Sequence, residues 1–280
     1  MQGKTVVITG ATSGIGEVAA DRLAEHGARI VFIARDPARG EETLKHLRAI
    51  APDAAHAAFH ADLSRLADIK RVAGEIAAAA PRIDVLVNNA GAMFGTRQLT
   101  EDGLEKTFAL NHLSYFVLTN LLLENLKTAE NARIVSTASD AHKGMKLDFT
   151  DLQGERSYSG WSAYGRSKLM NILFTRELAR QLKGTGVTAN CLHPGFVASR
   201  FGDETGGIVS FGIKFARVFA VSPGQGAATI LHLASSPDVE GVNGGYFYKC
   251  KSATPSPEAL NDAHAKRLWS VSTEIAGLGA

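Results

Sequence analysis

Tyr164 and Lys168 stand four residues apart in the run Tyr164-Gly165-Arg166-Ser167-Lys168. On a helix that spacing places both side chains on one face, so a phenol and an ammonium can converge on one point. A free tyrosine has a pKa near ~10, too high to move protons well at neutral pH, and a neighbouring ammonium stabilises its phenolate. Each unit of lowering corresponds to about 1.4 kcal/mol. The pair is a candidate proton shuttle, although by itself this spacing arises by chance in many amphipathic helices.

A second pattern is the glycine-rich turn Thr9-Gly10-Ala11-Thr12-Ser13-Gly14-Ile15-Gly16, which follows an apolar strand and opens a helix. Its glycines let backbone approach a pyrophosphate, which would sit on the unpaired N–H groups at the positive end of the helix. The next strand ends Ile33-Ala34-Arg35-Asp36, where such folds meet the adenosine ribose. An acid there binds a free 2′-hydroxyl, whereas a guanidinium pairs with a 2′-phosphate. Arg35 therefore favours NADP(H) over NAD(H). The alternative is a solvated Arg35 with Asp36 on the ribose. Ser13 offers a further hydroxyl to the phosphate.

The elements that must position these residues alternate along the chain. Thr5–Thr9, Arg29–Ala34, Val85–Asn88, Arg133–Ser136 and Val187–Leu192 read as strands, nearly continuous in apolar residues, as strands covered on both faces must be. Between them Gly14–His26, Ala38–Ile50, Leu66–Ala80, Gly103–Leu126 and Trp161–Lys183 have helical length and periodicity. This order predicts an α/β Rossmann fold: a doubly wound parallel sheet flanked by helices on both faces, in a single domain over residues 1–280. Two stretches break the rhythm. Residues 142–160 are long for a loop and read as an insert. Residues 201–222, with Gly206-Gly207 among apolar side chains, read either as an amphipathic core helix or as a lid over a substrate pocket.

Taken together, Gly10, Gly14 and Gly16, Asn88-Asn89-Ala90-Gly91, Asn111, Ser139, Tyr164 and Lys168, and Pro194-Gly195 resemble the short-chain dehydrogenase/reductase (SDR) family in order and spacing. The resemblance runs from about Lys4 to Gly245. Within the family the chain looks most like the retinol dehydrogenase-like branch, which includes the WW-domain oxidoreductases and the protochlorophyllide reductases. Leu152-Gln153-Gly154-Glu155, the run Ala163 to Phe174, and His193-Pro194-Gly195 carry that closer match.

The resemblance implies carbonyl–alcohol interconversion by hydride transfer, with Asn111, Ser139, Tyr164 and Lys168 as the catalytic set. Tyr164 would exchange the proton with the substrate oxygen, Lys168 would lower its pKa and hold the nicotinamide ribose, Ser139 would orient the substrate, and Asn111 would hold a relay water. Hydride transfer needs no metal, only a polarised carbonyl held near the nicotinamide. Matched cofactor positions are Gly10, Ser13, Gly14, Ile15, Gly16, Arg35, Asp62, Leu63, Asn88, Ala90, Gly91, Pro194, Gly195, Val197 and Ser199, beside Tyr164 and Lys168. Two departures keep a hydroxyl: Ser199 replaces the usual threonine, and Ser136-Thr137-Ala138 replaces the usual Asn-Val-Ser before the catalytic serine. The substrate implied is a lipophilic small molecule such as a retinoid; the alternatives are a general carbonyl, steroid or xenobiotic reductase, and a non-catalytic dinucleotide-binding sensor. The family also pairs the helix near Leu113–Leu126 and the helix after Tyr164 across subunit axes, so a homodimer or homotetramer is implied.

Composition narrows the partners. The 280 residues are 45% hydrophobic, and 30 Lys and Arg stand against 28 Asp and Glu. Without a dense basic block, nucleic acid is not an expected partner. Cys191 and Cys250 have neither disulfide-framework nor metal-ligand spacing. His56 and His60 lie on a strand segment where four residues span roughly 13 Å, too far for one zinc; no metal is expected. No apolar run reaches the ~20 residues of a membrane span, and Met1-Gln2-Gly3-Lys4 leads straight into Val6-Val7-Ile8 without a leader pattern. A cytoplasmic location is the expectation. The 28 glycines against 8 prolines point to places where backbone turns sharply or approaches a ligand.

Overall fold

The apolar, β-branched runs pair side by side, because strands apolar on both faces are stable only when helices cover both sides. A computed structural model of the protein describes residues 1–195 and 222–279. Its strands are β1 (Thr5–Thr9), β2 (Arg29–Ala34), β3 (Ala57–His60), β4 (Val85–Asn88), β5 (Arg133–Thr137), β6 (Thr188–Leu192), β7 (Tyr246–Tyr248) and β8 (Lys251–Ser252). They form one sheet in the order β3-β2-β1-β4-β5-β6-β7-β8. Every pairing is parallel except the β7–β8 hairpin. This is a single Rossmann-like α/β domain, and the strand order reverses between β1 and β4, where a crevice opens beyond the strand ends.

The helices are α1 (Gly14–Glu25), α2 (Pro37–Ile50), α3 (Leu66–Ala79), α4 (Lys106–Phe108), α5 (Ser114–Leu121), α6 (Leu123–Lys127), α7 (Gly160–Gln181), α8 (Pro223–Ser235) and α9 (Asp262–Ala276). Alternation along the strands divides the core in two. Val6 and Ile8 pack with Leu23, Leu47 and Ile230 of α1, α2 and α8. Val7 packs on the other face with Ile76, Phe116, Leu169 and Leu268 of α3, α5, α7 and α9.

The helix expected over Gly103–Leu126 differs from the structure. Gly103 has a φ of +73°, which α-helix excludes. Helix begins only after Glu105, whose carboxylate accepts from the N–H groups of Thr107 and Phe108 at 2.8 Å each. A π-helical turn, Ala109–Leu113, then widens the helix around Asn111. Sequence periodicity averages over both features.

The insert packs against the C-terminal helix. The ring of Phe149 lies 5.2 Å from that of His264 and 4.4 Å from the Arg267 guanidinium. On its other side Gln153 accepts from the Glu105 N–H at 2.7 Å and from Arg97 at 3.1 Å. The same C-terminal helix covers α5 and α7, with Trp269 4.9 Å from the Phe116 ring and stacked 5.9 Å from Phe174. The stretch 201–221, expected as a lid or core helix, lies outside the described residues; Ser222 caps α8. Among the described residues no helix is long and apolar enough to cross a membrane.

Candidate active site

The glycine-rich turn sits at the strand-order reversal. Gly10 has a φ of +72°, and a Cβ on Gly16 would lie 2.2 Å from the Gly10 carbonyl oxygen, so no larger residue fits the first turn of α1. Ser13 is the N-cap of α1 but makes no side-chain capping bond. The N–H groups of the first turn therefore keep their capacity for an anion. Ile15 is half-buried against the core, which leaves its backbone to serve the turn.

At the end of β2, Arg35 is exposed. Asp36 caps α2 through one carboxylate oxygen, which accepts from the N–H groups of Ala38 and Arg39 at 2.9 and 3.2 Å. A second guanidinium, which sequence reasoning missed, reaches the glycine-rich turn: Arg39 donates to the Thr12 carbonyl at 2.7 Å. Its signal was the four-residue spacing from Arg35 across the start of a helix. Asp62 accepts from both the N–H and the hydroxyl of Ser64 on one oxygen, while Leu63 turns its side chain into the core.

Beyond β4, neighbouring asparagines take opposite roles, as strand alternation requires. Asn88 is wholly buried and donates to the Thr119 hydroxyl at 2.9 Å, so its side chain faces away from the crevice. Asn89 braces the crevice floor: its side chain donates to the Thr9 carbonyl at 3.2 Å and accepts from the Thr137 hydroxyl at 3.3 Å. Ala90 follows, its N–H on the Thr9 hydroxyl at 2.9 Å. Gly91 then meets the catalytic candidates, since a Cβ there would lie 3.1 Å from Asn111 Oδ1 and 3.4 Å from Lys168 Nζ.

Asn111 is held by both ends of its amide, accepting from the Ala92 N–H at 2.9 Å and donating to the Ala92 carbonyl at 2.8 Å. Asn171, a second residue missed at first, donates to the carbonyls of Asn111 at 2.9 Å and Thr137 at 3.3 Å. It lies seven residues after Tyr164, two helical turns along the same face.

Ser139, two residues past β5, accepts from the Ala141 N–H at 3.2 Å and hydrogen-bonds Tyr164. Tyr164 and Lys168 share one face of α7 and are both buried. Burial pushes Tyr164 up to about 12, against the opposing hydrogen bond from Ser139. The Lys168 ammonium lies 5.5 Å from the centre of the Tyr164 ring and donates to the Thr137 carbonyl at 3.1 Å. The same burial takes Lys168 down to about 7. Trp161, one turn before Tyr164 on α7, has its ring 6.4 Å from the tyrosine ring and is 55% exposed.

Pro194 and Gly195 follow β6 at the same end of the sheet. Val197 and Ser199 lie outside the described residues. His56 is buried, its Nδ1 accepting from the Ile30 N–H at 3.0 Å. Cys191 is buried too, which pushes its thiol up to about 12 and makes it inert.

An uncapped helix start, a turn that admits no Cβ, a basic pair at the end of β2 and a buried phenol–ammonium pair thus lie along the crevice between β1 and β4. These residues fit an elongated dinucleotide with its phosphates at α1 and its reactive end near Tyr164.

A family model described as short chain dehydrogenase matches residues 4–206. Retinol dehydrogenase 14 of Mus musculus is 43% identical over 291 residues, covering 99% of this chain and 87% of that protein. Retinol dehydrogenase 12 of Homo sapiens is 41% identical over 278 residues, covering 99% and 88%. Among solved structures, a protein from Mycobacterium paratuberculosis superposes with a TM-score of 0.80 at 31% identity, covering 99% of this chain and 94% of that one. A short chain dehydrogenase from Burkholderia cenocepacia in complex with NADP gives 0.71 at 26% identity, covering 92% and 98%.

Proposed function

The chain belongs to the short-chain dehydrogenase family, in its retinol dehydrogenase-like branch, and from that membership we propose that it is an NADP(H)-dependent enzyme interconverting a lipophilic carbonyl compound and its alcohol. The observation that carries this reading is the hydrogen-bonded pair of Ser139 and Tyr164 hydroxyls, with Lys168 beneath the phenol. A carbonyl oxygen received between the two hydroxyls is polarised by two donors. A nicotinamide held near Tyr164 and Lys168 would supply the hydride for reduction of the carbonyl carbon, or accept it from the alcohol carbon in oxidation. Tyr164, which burial keeps protonated at neutral pH, gives its proton to the developing alkoxide in reduction and takes a proton from the alcohol in oxidation. Lys168, at about 7, exchanges protons readily at neutral pH and restores the phenol. Asn111 borders the lysine across Gly91, where it would hold a water that relays protons to it.

Arg35 and Arg39 support the preference for NADP(H), because two guanidinium groups suit the 2′-phosphate. Trp161 supports the apolar substrate: a half-exposed indole one turn from the reacting phenol offers a flat apolar wall. The names of the relatives make a retinoid the first compound to test.

Purified protein should be assayed with NADPH and NADH against retinal, a steroid ketone, and aromatic and aliphatic aldehydes. We expect turnover with NADPH, and a loss of kcat on the order of a thousandfold in Tyr164→Phe with NADPH affinity unchanged. Undiminished activity in that variant overturns the role of Tyr164. Absence of turnover across the panel favours a dinucleotide sensor, and equal rates for retinal and other aldehydes remove the retinoid assignment.

A further inference from the structure

Ser139 and Tyr164 must address the same substrate oxygen, yet they come from different parts of the chain, the turn after β5 and the first turns of α7. Misplacement by about 1 Å can cost on the order of 100-fold in rate. Something must hold the serine in register with the helix. Immediately after Ser139 the chain makes a tight 3-10 turn, Asp140–His142, and the imidazole of His142 folds back into it, wholly buried. Its Nδ1 lies 2.7 Å from the Ser139 carbonyl oxygen. Its Nε2 lies 3.0 Å from the backbone N–H of Ser256. A carbonyl can only accept and a backbone N–H can only donate. These two partners therefore require a neutral ring with its proton on Nδ1, and burial favours that neutral form.

Ser256 leads through the 3-10 turn Pro257–Leu260 into α9, and α9 packs on α7 through Leu268 and Trp269. The connections thus close a loop: Ser139 to His142, to Ser256, to α9, to α7 and Tyr164. The edge of the His142 ring rests on Tyr246, 5.4 Å between centres, so the imidazole has no room to swing away.

We propose that His142 is a positioning residue, whose Nδ1–H holds the Ser139 carbonyl and so keeps the serine hydroxyl in register with Tyr164, while Ser256 and Tyr246 fix the tautomer and packing of the ring. The inference rests on the catalytic reading of Ser139 and Tyr164, and its test separates the two. An asparagine amide takes the place of Nδ1, keeping the donor to Ser139, whereas a glutamine amide reaches the place of Nε2 and keeps only the acceptor for Ser256. In His142→Asn, kcat should stay within about threefold of the parent; in His142→Gln it should fall about 30-fold, with NADPH affinity unchanged in both. Backbone hydrogen exchange, followed without substrate, should rise over residues 139–143 in His142→Gln and much less in His142→Asn.

A ring that merely fills the core predicts losses that follow stability and are alike in the two variants. Equal falls in kcat, or equal exchange over 139–143, overturn the proposal. If the parent protein reduces no carbonyl, the catalytic reading fails, and exchange still decides whether His142 anchors the turn.

Discussion

Lys168 shows how burial reshapes a pair that looks simple in the sequence. Two groups four residues apart were expected to lower the phenol, but desolvation raises a buried phenol and here is the larger effect. Here Lys168 turns to the Thr137 carbonyl, and burial moves the two pKa values apart, up to about 12 for Tyr164 and down to about 7 for Lys168. The lysine shift has a consequence for stability with a definite sign. The unfolded chain holds the Lys168 proton up to ~10.4, while the folded chain releases it near 7. Above pH 7 the unfolded state binds more protons, so this residue makes stability rise with pH by up to ~1.4 kcal/mol per unit. Tyr164 and Cys191, shifted upward from 10.0 and 9.0, act oppositely only above pH 9. Chemical denaturation between pH 7 and 9 should give a steeper rise for the parent than for Lys168→Met. Parallel curves would show that the ammonium is not desolvated.

At the scale of elements, the turn from β1 into α1 is the least replaceable piece. A Cβ on Gly16 would meet the Gly10 carbonyl at 2.2 Å and the Asn89 amide at 2.5 Å, and the backbone atom cannot step aside. Gly16→Ala should cost about 2–3 kcal/mol and weaken dinucleotide binding. Gly74, in the exposed middle of α3, is the control: nothing lies within 4 Å of a Cβ there, so Gly74→Ala should stabilise by ~0.5–1 kcal/mol. Urea unfolding of the two variants checks both signs. The glycine turn was legible because glycine, strand and helix follow one another locally. The π-helical turn around Asn111 was not. Its widening depends on the packing of α5 and α7 and on the bonds from Asn111 to Ala92, none of which a periodicity can register.

For the whole molecule, a ligand that binds only the folded chain stabilises it by mass action, about 2.7 kcal/mol at a hundredfold excess over its Kd. For a domain of this size that corresponds to roughly 5–10 °C in Tm. NADPH should raise Tm more than NADH at equal concentration, and the difference should vanish in Arg35→Ala combined with Arg39→Ala. Equal shifts in the parent would remove the 2′-phosphate from the account. The C-terminal helix joins α5 and α7 into one packed unit, with Trp269 seated on Phe116 and Phe174.

The alternation of the first strands and helices, the glycine turn and the spacing of Asn111, Ser139, Tyr164 and Lys168 were determined by sequence alone, because each is a local pattern. The β7–β8 hairpin and the helices α8 and α9 that complete the sheet and cover it were not read. Other features depended on contacts between residues far apart in the chain. Asn88 faces inward while Asn89 faces the crevice. Arg39 joins Arg35 only because α2 begins beside the glycine turn. His142 finds Ser256, 114 residues away, only because α9 returns to α7. Desolvation is of the same kind: it sets the pKa values of Tyr164 and Lys168, and it exists only once the surrounding elements have closed over them.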